Sequence, residues 1–338
     1  MNFNYQKICA DCIKGLPQRT VDVIERRFGL SKFPAGQTGE RETLETIGQS
    51  YDITRERVRQ IEVEGFSKIK PRIKENQELF KYFEEVFASF GGLKKEDDLL
   101  QILTGNKFQN HVSFLLTNGD GFNRIPEDND FYSFWTTKKE PIKQAKNLVK
   151  LIIKRFKKEK KVFSIDELLK DEKLDKNVFL SYIGISKEIQ KNPEEKFGLK
   201  NWLEINPRGV KDRAYLVFKR EEKPLHFADV ASLIEKLPFH FQNKTHTATV
   251  HNELIKDERF VLVGRGLYAL KEWGYEPGVV KDIITKTLKS SSKPLSKREI
   301  LSKVSEQRFV KENTIALNLQ DRHYFTRDSQ GRYTIKQA

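Results

Sequence analysis

The chain has 338 residues, a length at which a single core usually gives way to two or more. With 33% charged, 37% hydrophobic and 11% aromatic residues it is too rich in aromatics for a disordered chain, and several small, highly charged domains with aromatic cores are expected. The net charge of +14 favours a polyanionic partner, nucleic acid first, but does not choose between DNA, RNA and a membrane surface.

The N-terminus MNFNYQKICADC has no signal-peptide pattern, and no apolar run of about 18 residues occurs, so a soluble, cytoplasmic protein is expected. Cys9 and Cys12 form a C-x-x-C pair, but no second Cys or His pair follows at ligand spacing. The six histidines, His240 among them, are scattered. The two thiols are therefore expected to be small buried groups on the first helix, with no metal.

An apolar helix around Ile8, Cys12 and Ile13 precedes Leu16-Pro17, where Pro17 suits a first helical turn because its missing N–H costs nothing there. Val21, Ile24 and Phe28 recur at helical spacing and Gly29 ends the run. The segment SKFPAGQTGERE, with Pro34, Gly36 and Gly39, breaks the pattern. Two short helices follow. Thr43 caps the first, Leu44 and Ile47 give its apolar side, and Gly48 permits close approach to the second. Asp52 suits a positive-φ turn position, Ile53 plugs the turn, and Thr54 caps the second helix, whose Val58 and Ile61 face inward. Arg55, Glu56, Arg57, Arg59 and Gln60 are left outward at its N-terminal end, where forked and amide side chains reach base edges in a major groove.

LPQRTVDVIERRFGL followed by TLETIGQSYDITRERVRQIE resembles region 4 of the primary bacterial sigma factors, over about residues 10–75. That region recognises the −35 promoter element and docks on the flap of the RNA polymerase β subunit. The resemblance implies that Arg55, Glu56, Arg59 and Gln60 reach bases, while Thr43, Leu44 and Arg57 hold phosphate; Lys68, further along the helix, joins the phosphate set. Nothing in the chain resembles the sigma region that melts the −10 element, so promoter opening by this chain alone is not expected.

Beyond Pro71 a pattern repeats every 55 to 80 residues: an amphipathic helix, a short capped helix, then aromatic strands around a turn. The expected strand pairs are FNRI with FYSFW, NWLEI with AYLVFK, the two halves of RFVLVGRGLYALK, and those of HYFTRDSQGRYTIK. Lys223-Pro224-Leu225 and Lys293-Pro294-Leu295 each precede an acidic residue (Asp229, Glu299) and two apolar ones (Val230 and Ile234; Ile300 and Val304) in the same order. Helices closed by a hairpin are winged helices. The expected fold is mainly α: a helix-turn-helix head at 1–75, followed by tandem winged-helix (α+β) domains with small β-hairpin wings at 76–140, 141–221, 222–275 and 276–338.

KPLHFADVASLIEK through GRGLYALKEWG, residues 222–273, resembles the HARE-type helix-turn-helix family, which also occurs in the δ subunit of some bacterial RNA polymerases. The resemblance implies a wing facing nucleic acid or polymerase, with Arg265 as its candidate contact. The stretch PIKQAKNLVKLIIKRFKKEKK sets Ala145, Val149, Ile152 and Phe156 opposite a lysine stripe. Such a stripe either tracks phosphates or is a solvated face.

No phosphate-cradling loop, nucleophile elbow or metal motif occurs, so neither an enzyme nor a cofactor is expected. The expected function is a sigma-related transcription factor that reads double-stranded DNA, is nucleoid-associated and contacts RNA polymerase. The alternatives are a δ-like polymerase accessory subunit and a nucleoid-architectural protein.

Overall fold

The structure is a computed structural model and describes residues 3–30, 39–105, 107–239, 244–291 and 293–336. Pro34 and Gly36 of the expected loop, and His240, lie outside the described residues. The described residues are mainly helical, with sixteen α-helices and four small antiparallel sheets. This arrangement is consistent with a helix-turn-helix followed by winged-helix domains. The chain divides into two compact units, Met1–Lys191 with Glu195–Lys200, and Asn192–Glu194 with Asn201–Ala338.

The first unit opens with α1 (Tyr5–Ile13) and α2 (Gln18–Phe28). Pro17 stands at the N-cap of α2, and Gly29, left-handed at φ 63°, ends it. A side chain at Gly29 would meet the Gly39 carbonyl, so the αL cap and the close approach both require glycine there. Next come α3 (Leu44–Ser50), α4 (Arg55–Lys74, running through Pro71) and α5 (Gln77–Ser89). Cys9 and Cys12 are buried, and burial pushes the Cys12 thiol up to about 11 and the Cys9 thiol well above its ordinary value. Their core joins Ile24, Ile69 and Ile73 to Phe83, Phe87, Phe114 and Trp135. It therefore takes side chains from both sides of the boundary expected at residue 75, because the C-terminal half of α4 is apolar on the side that meets the following helices.

From residue 77 one order of elements occurs four times: a helix, a short strand or bridge, two helices and a hairpin. The first runs α5, β1 (Leu93–Lys95), α6 (Glu96–Thr104), α7 (Gln109–Asn118), β2 (Asn123–Ile125) and β3 (Phe134–Thr136). The second runs α8 (Glu140–Glu159), a bridge at Phe163, α9 (Ile165–Leu169), α10 (Lys176–Gly184), β4 (Ile189–Lys191) and β5 (Phe197–Leu199). In the second unit come α11 (Val210–Glu221), β6 (Leu225–His226), α12 (Phe227–Ile234), α13 (Thr247–Lys256), β7 (Phe260–Gly264) and β8 (Leu267–Leu270). The last repeat is α14 (Val280–Ser290), β9 (Leu295–Ser296), α15 (Lys297–Gln307), α16 (Glu312–Leu319), β10 (Phe325–Arg327) and β11 (Arg332–Ile335).

Each time the hairpin's second strand is central, flanked by the short first strand and the hairpin's own first strand. The repeated Lys-Pro-Leu triplets occupy equivalent places: Leu225 pairs with Tyr268 and Leu295 with Tyr333. Val230, Ile234, Ile300 and Val304 are fully buried in the two cores that follow.

One expected hairpin does not form: NWLEI lies in turns at residues 201–205. AYLVFK lies inside α11, and the strands of that repeat are β4 and β5. A short apolar run does not separate strand from helix; here Ala214, Val217 and Phe218 are the buried positions, three and four residues apart, which is helical spacing. The repeat expected to begin at 222 begins earlier. Helix α11 contributes those three side chains to the core of residues 225–270 and opens that repeat.

Candidate nucleic-acid interface

The α3–α4 turn follows from its residues. The Thr43 hydroxyl accepts from the Thr46 amide at 3.1 Å and the Thr54 hydroxyl from the Arg57 amide at 3.2 Å, so each helix starts on a threonine cap. Between them Asp52 stands at φ 53°, and the Ile53 amide donates to the Gly48 carbonyl at 3.0 Å. A Cβ on Gly48 would lie 2.7 Å from the Ile53 carbonyl oxygen, too close for any side chain without moving the turn. Val23, Ile47, Val58 and Ile61 form a separate small core beneath the pair, with Leu44, Tyr51 and Ile53 packed against it.

Polar groups clamp the head from behind. Arg26 of α2 grips Glu42 with two hydrogen bonds, at 2.8 and 2.6 Å, and donates to the Ser50 hydroxyl at 2.7 Å, joining both ends of α3 to α2. The Arg26 guanidinium holds the Glu42 carboxyl below its ordinary value, chiefly through those hydrogen bonds. The Tyr51 hydroxyl donates to Asp22 at 2.7 Å, and Arg19 lies over the Tyr51 ring. Glu62 faces Arg27 at 3.5 Å, and Gly65 lets α4 approach Thr20 and Ile24 of α2 closely.

Held in this way, α4 exposes Arg55, Glu56, Arg57, Arg59 and Gln60 together on its first turns. They pair among themselves. Arg59 donates to both Glu56 oxygens, at 2.9 and 2.7 Å, and Arg57 donates to the Gln60 amide oxygen at 3.1 Å. The bond from Arg59 lowers the pKa of the Glu56 carboxyl. Thr43 is exposed at the start of α3. The Leu44 side chain is half-buried in the small core, which leaves its backbone at the helix N-terminus as the part available to an anion. Lys68 is exposed on the same helix, about 12 Å beyond Gln60 at 1.5 Å per residue. Arg265 is exposed in the turn between β7 and β8 of the second unit.

Residues 12–70 match the family Sigma-70, region 4. The matched segment contains α2, α3 and all of the exposed run on α4. Sigma region 4 is a DNA-binding helix-turn-helix module.

Two features of the region 4 segment were not anticipated from the sequence. Val63 is 49% exposed and continues the four-residue spacing of Arg55 and Arg59, placing an apolar side chain on the same face. The signal was available: Val58, Ile61 and Gly65 already satisfy the buried period of α4, so Val63 was surplus to it. The Arg26–Glu42 clamp carried no such signal, because its partners are sixteen residues apart across a helix end and a loop.

Proposed function

We propose that the chain is a sigma-related transcription factor that reads double-stranded DNA by laying the start of α4 in the major groove. What supports this most is the exposed run Arg55, Glu56, Arg59 and Gln60 on a capped, clamped helix inside the segment that matches region 4. In this reading Arg55 and Arg59 pair with guanine, Glu56 accepts from a cytosine amino group, and Gln60 pairs with adenine. In the same reading the exposed Val63 packs on a thymine methyl group. Thr43, Leu44 through its backbone, Arg57 and Lys68 hold phosphates, which fixes register without reading sequence.

The contacts that fix the pair to α2, Arg26 with Glu42 and Ser50 around α3 and Arg27 with Glu62 on α4, support a reading role because base discrimination requires a helix held in one orientation. Contact with the RNA polymerase β flap belongs to the same proposal. The four repeats after residue 76 act as winged-helix units, the third resembling the HARE type with Arg265 at its wing tip. The head and the first repeat fold on one core.

The test is selection of bound duplexes from a random pool with the full chain and with Arg59→Ala and Gln60→Ala variants. Wild type is expected to enrich one motif, and each variant to lose preference at one position of it. Equal weakening on all sequences would assign these residues to phosphate instead.

A further inference from the structure

The described residues hold a second charged helix face whose chemistry differs from that of α4. Helix α8 is 20 residues long. Between positions 141 and 158 it carries seven Lys and Arg and not one Asp or Glu. Ala145, Leu148, Val149, Ile152 and Phe156 are its buried side. At 3.6 residues per turn, Lys143, Lys146, Lys150, Lys154 and Lys157 fall within an arc of about 80° on the opposite side.

A helix face that is merely solvated in a stable protein is usually laced with acidic partners one turn away, because unpaired like charges at this spacing repel. Here Lys146 reaches Asp128 only at 4.0 Å. Lys143, Lys150, Lys154 and Lys157 are exposed, and none of them makes an ion pair among the described residues. Beside them a groove of about 400 Å³ is floored by Phe131, Val149 and Ile153; its acidic neighbours, Asp130 and Glu188, stay unpaired with the lysines.

From this geometry we propose that α8 is a phosphate-tracking rail that binds the backbone of double-stranded DNA without reading its sequence. The proposal rests on the reading of the chain as a duplex-DNA binder and adds a second, independent contact. Lys143 to Lys157 spans about 21 Å, a length of duplex axis over which one strand presents roughly six phosphates. Lysine suits this use, since a point charge on a flexible stem meets phosphates singly and carries no planar fork for a base edge.

The experiment uses the full chain with Lys143, Lys150, Lys154 and Lys157 all changed to Gln, and two unrelated duplexes of about 25 base pairs and one single strand of the same length titrated across a range of salt. Four lost phosphate contacts flatten the log K against log salt slope by about 3 to 4, so the affinity lost between 50 and 200 mM salt shrinks by about 100-fold on both duplexes. Restoring the four positions as Arg should restore the slope. If the fourfold variant unfolds, Lys150→Gln with Lys154→Gln should give about half the change. An unchanged slope in a folded variant overturns the rail and leaves the α4 reading standing. Loss confined to a single-stranded oligonucleotide overturns the duplex assignment. Failure of the wild-type chain to bind either duplex, even at low salt, overturns the rail together with the reading beneath it.

Discussion

Helices α4 and α8 both present dense charge to solvent, and they do so in opposite ways. The α4 face mixes Arg55, Arg57 and Arg59 with Glu56, Gln60 and Val63, and its polar groups bond to one another at 2.7 to 3.1 Å. The α8 face has lysine alone, with four of its side chains free of ion pairs among the described residues. A carboxylate on α4 is the instructive difference. Glu56 repels a phosphate and is welcome only where a base donates, so a surface that keeps it sacrifices general affinity for discrimination. Net charge therefore does not separate a reading surface from a holding one; the kinds of side chain and their mutual pairing do.

Breaking the α3–α4 turn should separate the two faces most strongly. Gly48→Val drives a side chain into the Ile53 carbonyl, and we expect site-selective binding to be lost with a destabilisation of about 1–3 kcal/mol, while salt-sensitive binding through α8 persists. Thermal unfolding and duplex titrations on the same sample measure both.

Smaller and sharper is Arg59→Ala, expected to cost about 1–3 kcal/mol at its contacted base pair and little on unrelated duplexes. Titrating the selected site against base-substituted versions gives that number directly.

Glu42→Gln tests the clamp that fixes α3 to α2. Its folded-state pKa is depressed, so its stabilisation is present above the ordinary carboxylate range and disappears as pH falls through the lowered value. The half-buried Arg26–Glu42 pair is worth about 1 kcal/mol, allowing for screening. The variant should be that much less stable at neutral pH and equal to wild type in acid, as denaturant melts at several pH values show. Val63→Ala is the mildest change, under about 1 kcal/mol and confined to sites with thymine opposite it.

Much of the head was legible because its signals are local. Thr43, Asp52 and Thr54 determine caps and a turn within a few residues, and Ile47, Val58 and Ile61 mark the buried side without any knowledge of distant contacts. Three hairpins were legible for the same reason, each having alternation around a turn. What escaped depended on partners far along the chain: the Arg26–Glu42 clamp, the shared core that joins Cys9 and Cys12 to Phe83 and Trp135, and α11, whose Ala214–Phe218 run reads equally as strand until its packing is seen. The lysine stripe of α8 was visible, but only the lack of an ion pair on Lys143, Lys150, Lys154 and Lys157 among the described residues distinguishes it from an ordinary solvated face.

Base reading by the start of α4 is open to a single experiment. Selection from a random duplex pool by the full chain, repeated with Arg59→Ala and with the four α8 lysines changed to Gln, tests it most directly. The expected result is one enriched motif for wild type, the same motif at weaker affinity for the α8 variant, and a motif relaxed at one position for Arg59→Ala. An unchanged motif with Arg59→Ala, or no motif from the wild-type chain, would contradict it.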